Sequence, residues 1–183
     1  MFGQIVIFLI DAVASFLVLL LLARFWFQWA RVPFHNPVGE FLLATTNWAV
    51  IPVRRVIPGL AGLDLSTVLL AWAVQGLSLW AQLALAGAEP GAGALAAVAA
   101  VDLLRFSAYF LVFAVIVQAV FSWVNPGAPL AWIFDAMTRP FLRPLRRFIP
   151  PVGRVDLTPL VLLVALQVLL IPIAHLRLLA AAV

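Results

Sequence analysis

Two carboxylates, Asp64 and Asp156, stand 92 residues apart, and each follows a pair of arginines, Arg54 and Arg55 or Arg146 and Arg147, at that same offset. Each aspartate directly precedes an apolar stretch. A carboxylate in that position can accept hydrogen bonds from the amides that a helix start leaves without partners, and it complements the positive end of the helix dipole. Helix capping is therefore the chemistry expected of Asp64 and Asp156, with Ser66 and Thr158 completing a polar entrance and the paired arginines available to neutralise the charge. A cation site would need more ligands than these segments supply.

Fewer polar groups lie inside the apolar stretches. Gln75 and Gln167 also match at offset 92, and each follows its aspartate by 11 residues. That is about 16 Å of helix, near mid-bilayer depth if the stretches span a membrane. Their amides need partners there: either interhelical hydrogen bonds, including bonds to each other, or a polar stripe that hydrates a pathway. At offset 94, Asp11 falls on Arg105, placing opposite charges at one matched depth. Charges within spans are costly unless paired or wet. An Asp11–Arg105 pair is expected, with Asp102 as a second acceptor for Arg105 and a functional charge cluster as the alternative.

Catalysis finds little to work with. His35 and His175 are the only histidines, and no cysteine is present, so no histidine-rich metal pattern, thiol chemistry or disulfide is available. Ser15, Ser66, Ser78, Ser107 and Ser122 lack a GxSxG setting, and there is no glycine loop for phosphate. The chain is read as not an enzyme, with no catalytic, metal or cofactor-binding residues and no cofactor. The arginines sit beside apolar anchors, which argues against nucleic acid as a partner.

Hydrophobic residues make up 66% of the chain and charged ones 10%, with a mean hydropathy of +1.18, so the solvent that shapes it is a bilayer. Charge-free gaps between Asp64 and Glu89, Arg105 and Asp135, and Asp156 and Arg177 accommodate spans at about 65–86, 103–123 and 157–178, and a first span at about 4–27 is interrupted only by Asp11 before it reaches Arg24. The first is expected to be retained as an anchor rather than cleaved. The connections 30–63 and 124–155 carry eight of the arginines and 87–101 carries none, which places the two basic connections in the cytoplasm and both termini outside.

The segment IPVRRVIPGLAGLDLS at 51–66 returns as RPLRRFIPPVGRVDLT at 143–158, so the chain is one two-helix unit written twice. The expected fold is an all-α membrane protein: four transmembrane helices as two parallel two-helix repeats in a pseudo-two-fold bundle, with amphipathic interfacial helices in the cytoplasmic connections. The repeats are 1–86 and 103–183, joined by an outward linker and helix start at 87–102, with interface segments 37–58 and 127–150.

In the second interface segment, Leu130, Phe134, Met137, Phe141, Leu145 and Phe148 form one apolar face, and Asp135, Arg139, Arg143 and Arg147 another. Trp132 is placed to anchor at the headgroups. Pro140 and Pro144 predict two short pieces with a bend. Arg54, Arg55, Trp132, Arg139, Arg143, Arg146 and Arg147 are the candidate surface for anionic lipid or for a protein partner, each arginine near the surface worth about 1 kcal/mol.

The repeated NP, PxRRxIP and DL[ST] pattern resembles the YggT family of bacterial integral membrane proteins, whose plastid and Gram-positive relatives are often called YlmG-like. The resemblance rests on Asn36, Pro37, Pro52, Arg54, Arg55, Pro58 and Asp64, then on Asn125, Pro126, Thr138, Pro140, Pro144, Arg146, Arg147, Pro150 and Asp156. Trp48 departs from it, standing where the second copy has Pro140. The resemblance implies a bacterial inner-membrane role in osmotic or extracytoplasmic stress and ion homeostasis, without a catalytic mechanism. Two functions are expected from this. One is a scaffold or assembly protein that recruits a cytoplasmic or membrane partner. The other is a small homo-oligomeric channel or transporter lined by Gln75, Gln167 and Asp11.

Overall fold

A computed structural model describes residues 2–57, 59, 64–89, 91–149 and 156–182. Six helices follow in chain order: α1 (Phe2–Trp29), α2 (Pro37–Val56), α3 (Leu65–Leu85), α4 (Ala92–Val124), α5 (Ala131–Phe148) and α6 (Thr158–Ala181). The structure is all-α. Helices α1, α3, α4 and α6 are long and apolar enough to cross a membrane, and large side chains such as Phe8, Phe16, Leu77, Phe113, Val164 and Ile171 stand exposed on their outer faces. In water that surface would be an aggregation liability; in hydrocarbon it is solvated. The chain is a multi-pass membrane protein.

Residues Ile7, Leu83, Leu95 and Arg177 border one common cavity. The start of α1, the end of α3, the start of α4 and the end of α6 therefore share one end of the bundle. Consequently α1 and α4 run in one direction and α3 and α6 in the other, the arrangement expected of parallel repeats. Helices α2 and α5 lie at the other, arginine-rich end.

The densest packing is within each half, α1 on α3 and α4 on α6. The halves meet where α4 packs on α3 and on α1. Small residues allow this close approach: Ala71 and Ala99 are fully buried, and Gly76 faces Ala99. The pseudo-two-fold mate of the α3–α4 contact would be α6 on α1, and no comparable contact exists there. The bundle is thus only partly symmetric, with α6 held by its own half.

Helix α4 starts at Ala92, within the expected linker and helix start at 87–102, because the uncharged Gly/Ala run is rich in the best helix former. One expectation about elements changes. Helix α5 is one continuous element rather than two pieces. Pro140 and Pro144 each remove a single ladder bond, and both stand on the exposed side. Ile133, Met137 and Leu142, at most 1% exposed, hold the helix against the bundle through those gaps. Pro52 in α2 is also exposed and tolerated in the same way.

The apolar face of α5 is correspondingly rotated from the expected one. Ile133 and Leu142 are at its centre, whereas Phe148 is 82% exposed. Phe141 stacks on Trp29 with ring centroids 5.5 Å apart and meets Trp26 edge-on at 6.0 Å. Much of what the sequence assigns to lipid is therefore contact with α1. Val50 of α2 and Leu142 of α5, matched at offset 92, are both fully buried and each reaches into the core of its own half.

Candidate functional site

Beneath each arginine-rich helix lies a polar site assembled from matched positions. In the first half, Asp64 is 1% exposed and lies at the start of α3. Its carboxylate accepts from the Ser66 hydroxyl and pairs with Arg54, whose Nη2 is 2.7 Å from Oδ2. No helix-start amide donates to that side chain, so the expected capping role is not what Asp64 does. Nearby, the Asp64 backbone N–H donates to Gln28 Oε1 at 3.0 Å, tying the helix entrance to α1.

Arg24 completes this first site from α1. It is 3% exposed, and its Nη1 donates to Thr46 Oγ1 at 2.7 Å and to Asn47 Oδ1 at 2.8 Å. The Thr46 hydroxyl in turn donates to the Leu42 carbonyl. The guanidinium thus cross-links α1 to α2 inside the protein, with Asp64 as its nearby counter-charge.

The second site uses the same skeleton with different contents. Arg146 Nε donates to Asp156 Oδ2 at 2.9 Å, the counterpart of the Arg54–Asp64 pair. Here the other oxygen, Oδ1, accepts from the Thr158 amide at 2.9 Å and from the Thr158 hydroxyl, so this aspartate does engage a helix-start amide. Thr138, matched to Thr46, is fully buried, and its hydroxyl donates to the Phe134 carbonyl at 2.8 Å. Gln118 stands at offset 94 from Arg24; it is 6% exposed, and its Oε1 has no hydrogen-bond partner.

Both carboxyls titrate below the ordinary aspartate value. Burial pushes Asp64 up, but the Ser66 hydroxyl and the Arg54 guanidinium outweigh it. For Asp156, burial is outweighed by the Thr158 hydroxyl and amide and by Arg146. Each site is therefore an anion stabilised by its own helix entrance and by the first arginine of the repeated pair.

The other arginines of α2 and α5 face outward. Arg55, Arg143 and Arg147 are exposed, Trp132 is 44% exposed, and Arg139 pairs with Asp135 one turn earlier on α5. The turns that lead into the two helices also differ. Asn36 caps α2, its Oδ1 accepting from the Gly39 amide at 2.9 Å while its Nδ2 donates to the Pro33 carbonyl at 2.6 Å. Gly39 is obligatory there, since a Cβ would stand 2.5 Å from the Phe34 carbonyl oxygen. Asn125 instead closes α4, and α5 begins six positions later without a side-chain cap. Pro58, Pro150 and Arg154 lie outside the described residues.

At the opposite end the expected Asp11–Arg105 pair is replaced by other partners. Asp11 accepts from Gln82 Nε2 at 3.2 Å, and Arg105 lies over the Tyr109 ring, 5.5 Å from its centroid. Asp102 binds Arg177, with Nε 2.6 Å from Oδ1, rather than Arg105. Gln75 Nε2 donates to Asp102 Oδ2 at 3.0 Å, so it does not reach Gln167, which is exposed on α6. The missing α1–α6 contact explains this. Phe8, which matches Asp102 at offset 94, is 68% exposed and offers Gln167 nothing.

The sequence reading missed Arg24, Thr46, Asn47, Gln118 and Arg177. Offset 94 would have set Arg24 against Gln118, and offset 92 sets Thr46 against the motif residue Thr138. Arg177 has no charged counterpart, because its match is Leu85.

Comparison with known proteins matches a family described as CCB3/YggT to residues 3–85 and 97–177, one stretch for each half. A protein of Vibrio alginolyticus, described only as an uncharacterised protein in the proC 3' region, is 31% identical over 163 residues, 87% of this chain and 88% of its own. The uncharacterised protein YggT of Escherichia coli K12 is 30% identical over 172 residues, 92% of this chain and 88% of its own. An uncharacterised Pseudomonas aeruginosa protein is 32% identical over 169 residues, 89% of this chain and 85% of its own. No solved structure matches.

Proposed function

From the two half-chain matches, by which this protein belongs to the CCB3/YggT family, and from the geometry of its basic helices, we propose a non-enzymatic membrane scaffold or assembly factor of the bacterial inner membrane. In this reading α2 and α5 lie at the cytoplasmic headgroups and bind anionic lipid and a protein partner under osmotic or extracytoplasmic stress. The observation that carries it is the two-sidedness of α5. Ile133, Met137 and Leu142 are locked into the bundle while Trp132, Arg139, Arg143 and Arg147 stand exposed, which gives a basic surface held in fixed register. A pre-ordered surface loses less conformational entropy on binding than a mobile basic loop would.

The alternative is a small oligomeric channel or transporter. A chain of polar groups running from buried Gln75 and Asp102 to the part-exposed Arg177, beside a cavity of about 570 Å³ at the opposite end, is the observation in its favour. Against it, Gln75 is committed to Asp102, and Gln167 faces away from the bundle, so the two glutamines share no path.

Photo-crosslinking in living cells, from probes replacing Trp132 and Arg143 before and after osmotic upshift, separates the readings. A single recurrent protein adduct is the expected result. Lipid adducts alone would reduce α5 to an anchor and move transport to the front.

A further inference from the structure

Gln75 and Gln167 are matched positions, yet only the first is answered within the protein. Gln75 finds Asp102 across the contact of α3 with α4. Helix α6 has no comparable contact with α1, and Gln167, near the middle of α6, stands exposed without a hydrogen bond to any described residue. On a membrane span that exposure is to hydrocarbon, where no water serves the amide.

A second unanswered group lies one residue further on. Pro172 stands inside α6 and lacks the N–H that would bond the Val168 carbonyl. Val168 is 59% exposed and Pro172 is exposed with it, so this carbonyl is freed on the lipid-facing side of the helix. In hydrocarbon such a carbonyl needs a donor from a neighbouring helix or side chain. Within about one turn, α6 therefore turns an amide and a free carbonyl to the bilayer.

Membrane insertion decides what can answer them. Lipid tails carry no hydrogen-bonding groups, whereas every copy of this chain inserted in the same sense places its own Gln167 at the same depth. A primary amide both donates and accepts, so it is complementary to itself. A two-fold axis along the bilayer normal brings one Gln167 against the other, each Nε2 donating to the other's Oε1 and keeping a second N–H for a Val168 carbonyl. Docking α6 on α1 of another copy would instead set Gln167 against Phe8, and Asp11, a turn further, already accepts from Gln82.

The surroundings of Gln167 suit such a seam. Leu160, Val164, Gln167, Ile171, Ala174 and Leu178 are all exposed and follow one another at alternating steps of four and three, the spacing along which two helices pack. Apolar residues at those steps are common in any span; a single polar one among them fixes register and partner. Ala174 supplies a small side chain that lets two backbones approach.

We propose that α6 is a homodimerisation helix, packing in parallel against α6 of a second copy with the two Gln167 amides paired across the two-fold axis. The contact is isologous and closes at two chains. It is independent of what α5 recruits, and it seals Gln167 rather than opening a path along it.

Gln167→Leu tests the pairing without disturbing the fold, since the side chain makes no hydrogen bond to a described residue. Full chains carrying donor or acceptor dyes at Glu89→Cys, reconstituted in vesicles of ethanolamine and glycerol phospholipids, report association by energy transfer as lipid is added. A monomer–dimer equilibrium is expected, and Gln167→Leu should dissociate at roughly tenfold less dilution, as for the loss of two interhelical hydrogen bonds. In the cysteine-free chain, oxidation of Leu178→Cys should give a disulfide-linked dimer. Phe8→Cys, 68% exposed like Leu178 and at the same end of the bundle, should not. Chains that stay monomeric at every dilution, a dissociation unchanged by Gln167→Leu, or cross-linking at Phe8→Cys as fast as at Leu178→Cys would each overturn the proposal. Species larger than a dimer would contradict closure by a two-fold.

Discussion

Arg24 and Gln118 occupy matched positions in the two halves, and the structures around them diverge. The first half spends a buried arginine on tying α1 to α2 and keeps Asp64 at 1% exposure among cations. The second half keeps Asp156 partly exposed, lets it engage the start of α6, and opens a cavity where the arginine would be. The two copies of one unit thus differ in structure: the first cross-links α1 to α2 at the arginine-rich end, and the second leaves a cavity there. The difference teaches that identical motifs, PxRRxIP followed by DL[ST], do not guarantee identical sites.

The largest expected effect follows from the most buried ion pair. Asp64→Asn should lower stability by about 3 kcal/mol, the low end for a broken buried pair because Arg54 is half exposed, whereas Asp156→Asn should cost about 1 kcal/mol or less. Thermal unfolding in detergent reads both, and equal losses would dissolve the contrast between the halves. Arg24→Gln, which copies the second half into the first, removes two charged hydrogen bonds to α2 and should cost about 2 kcal/mol. Protease sensitivity of α2 should rise with it.

Gly39→Ala places a Cβ 2.5 Å from the Phe34 carbonyl oxygen and should cost about 1–2 kcal/mol by forcing the turn apart. The matched position in the second half is already Ala131, so Ala131→Gly should change melting by less. The smallest effect is that of acid. Because both carboxyls have folded-state values below the ordinary aspartate value of about 3.9, their stabilisation is fully present above that pH and is lost as pH falls through the lower folded values. A melting temperature flat from neutral pH down to about 5 and falling below about 4 is expected, with the acid dependence weakened in both Asp64→Asn and Asp156→Asn.

Spans and direction were legible because charge-free length and a constant repeat offset are long-range patterns that few other folds produce. The Arg54–Asp64 and Arg146–Asp156 pairs follow from motifs ten residues apart in sequence. What α5 packs against was not legible, since lipid and protein interior are both apolar and select the same periodicity. Ile133 and Leu142 look no different in sequence from Phe148. The Asp11–Arg105 and Gln75–Gln167 pairings failed for a geometric reason. Residues matched by a pseudo-two-fold share a depth but lie on opposite flanks, and touch only near the axis. Asp102 and Arg177 meet without any repeat relation, so offsets could not find them.

The absence of cysteine allows the central claim, that α5 holds a basic face at the headgroups while the spans bury no shared aqueous path, to be measured with single spin labels. Labels introduced by Arg143→Cys and Gln167→Cys in reconstituted bilayers should report opposite environments. The account predicts that the label at position 143 is relaxed by a water-soluble nickel chelate and the one at 167 by oxygen dissolved in the hydrocarbon. Oxygen access at 143 would contradict the headgroup placement of α5, and nickel access at 167 would reveal a hydrated pathway and favour transport.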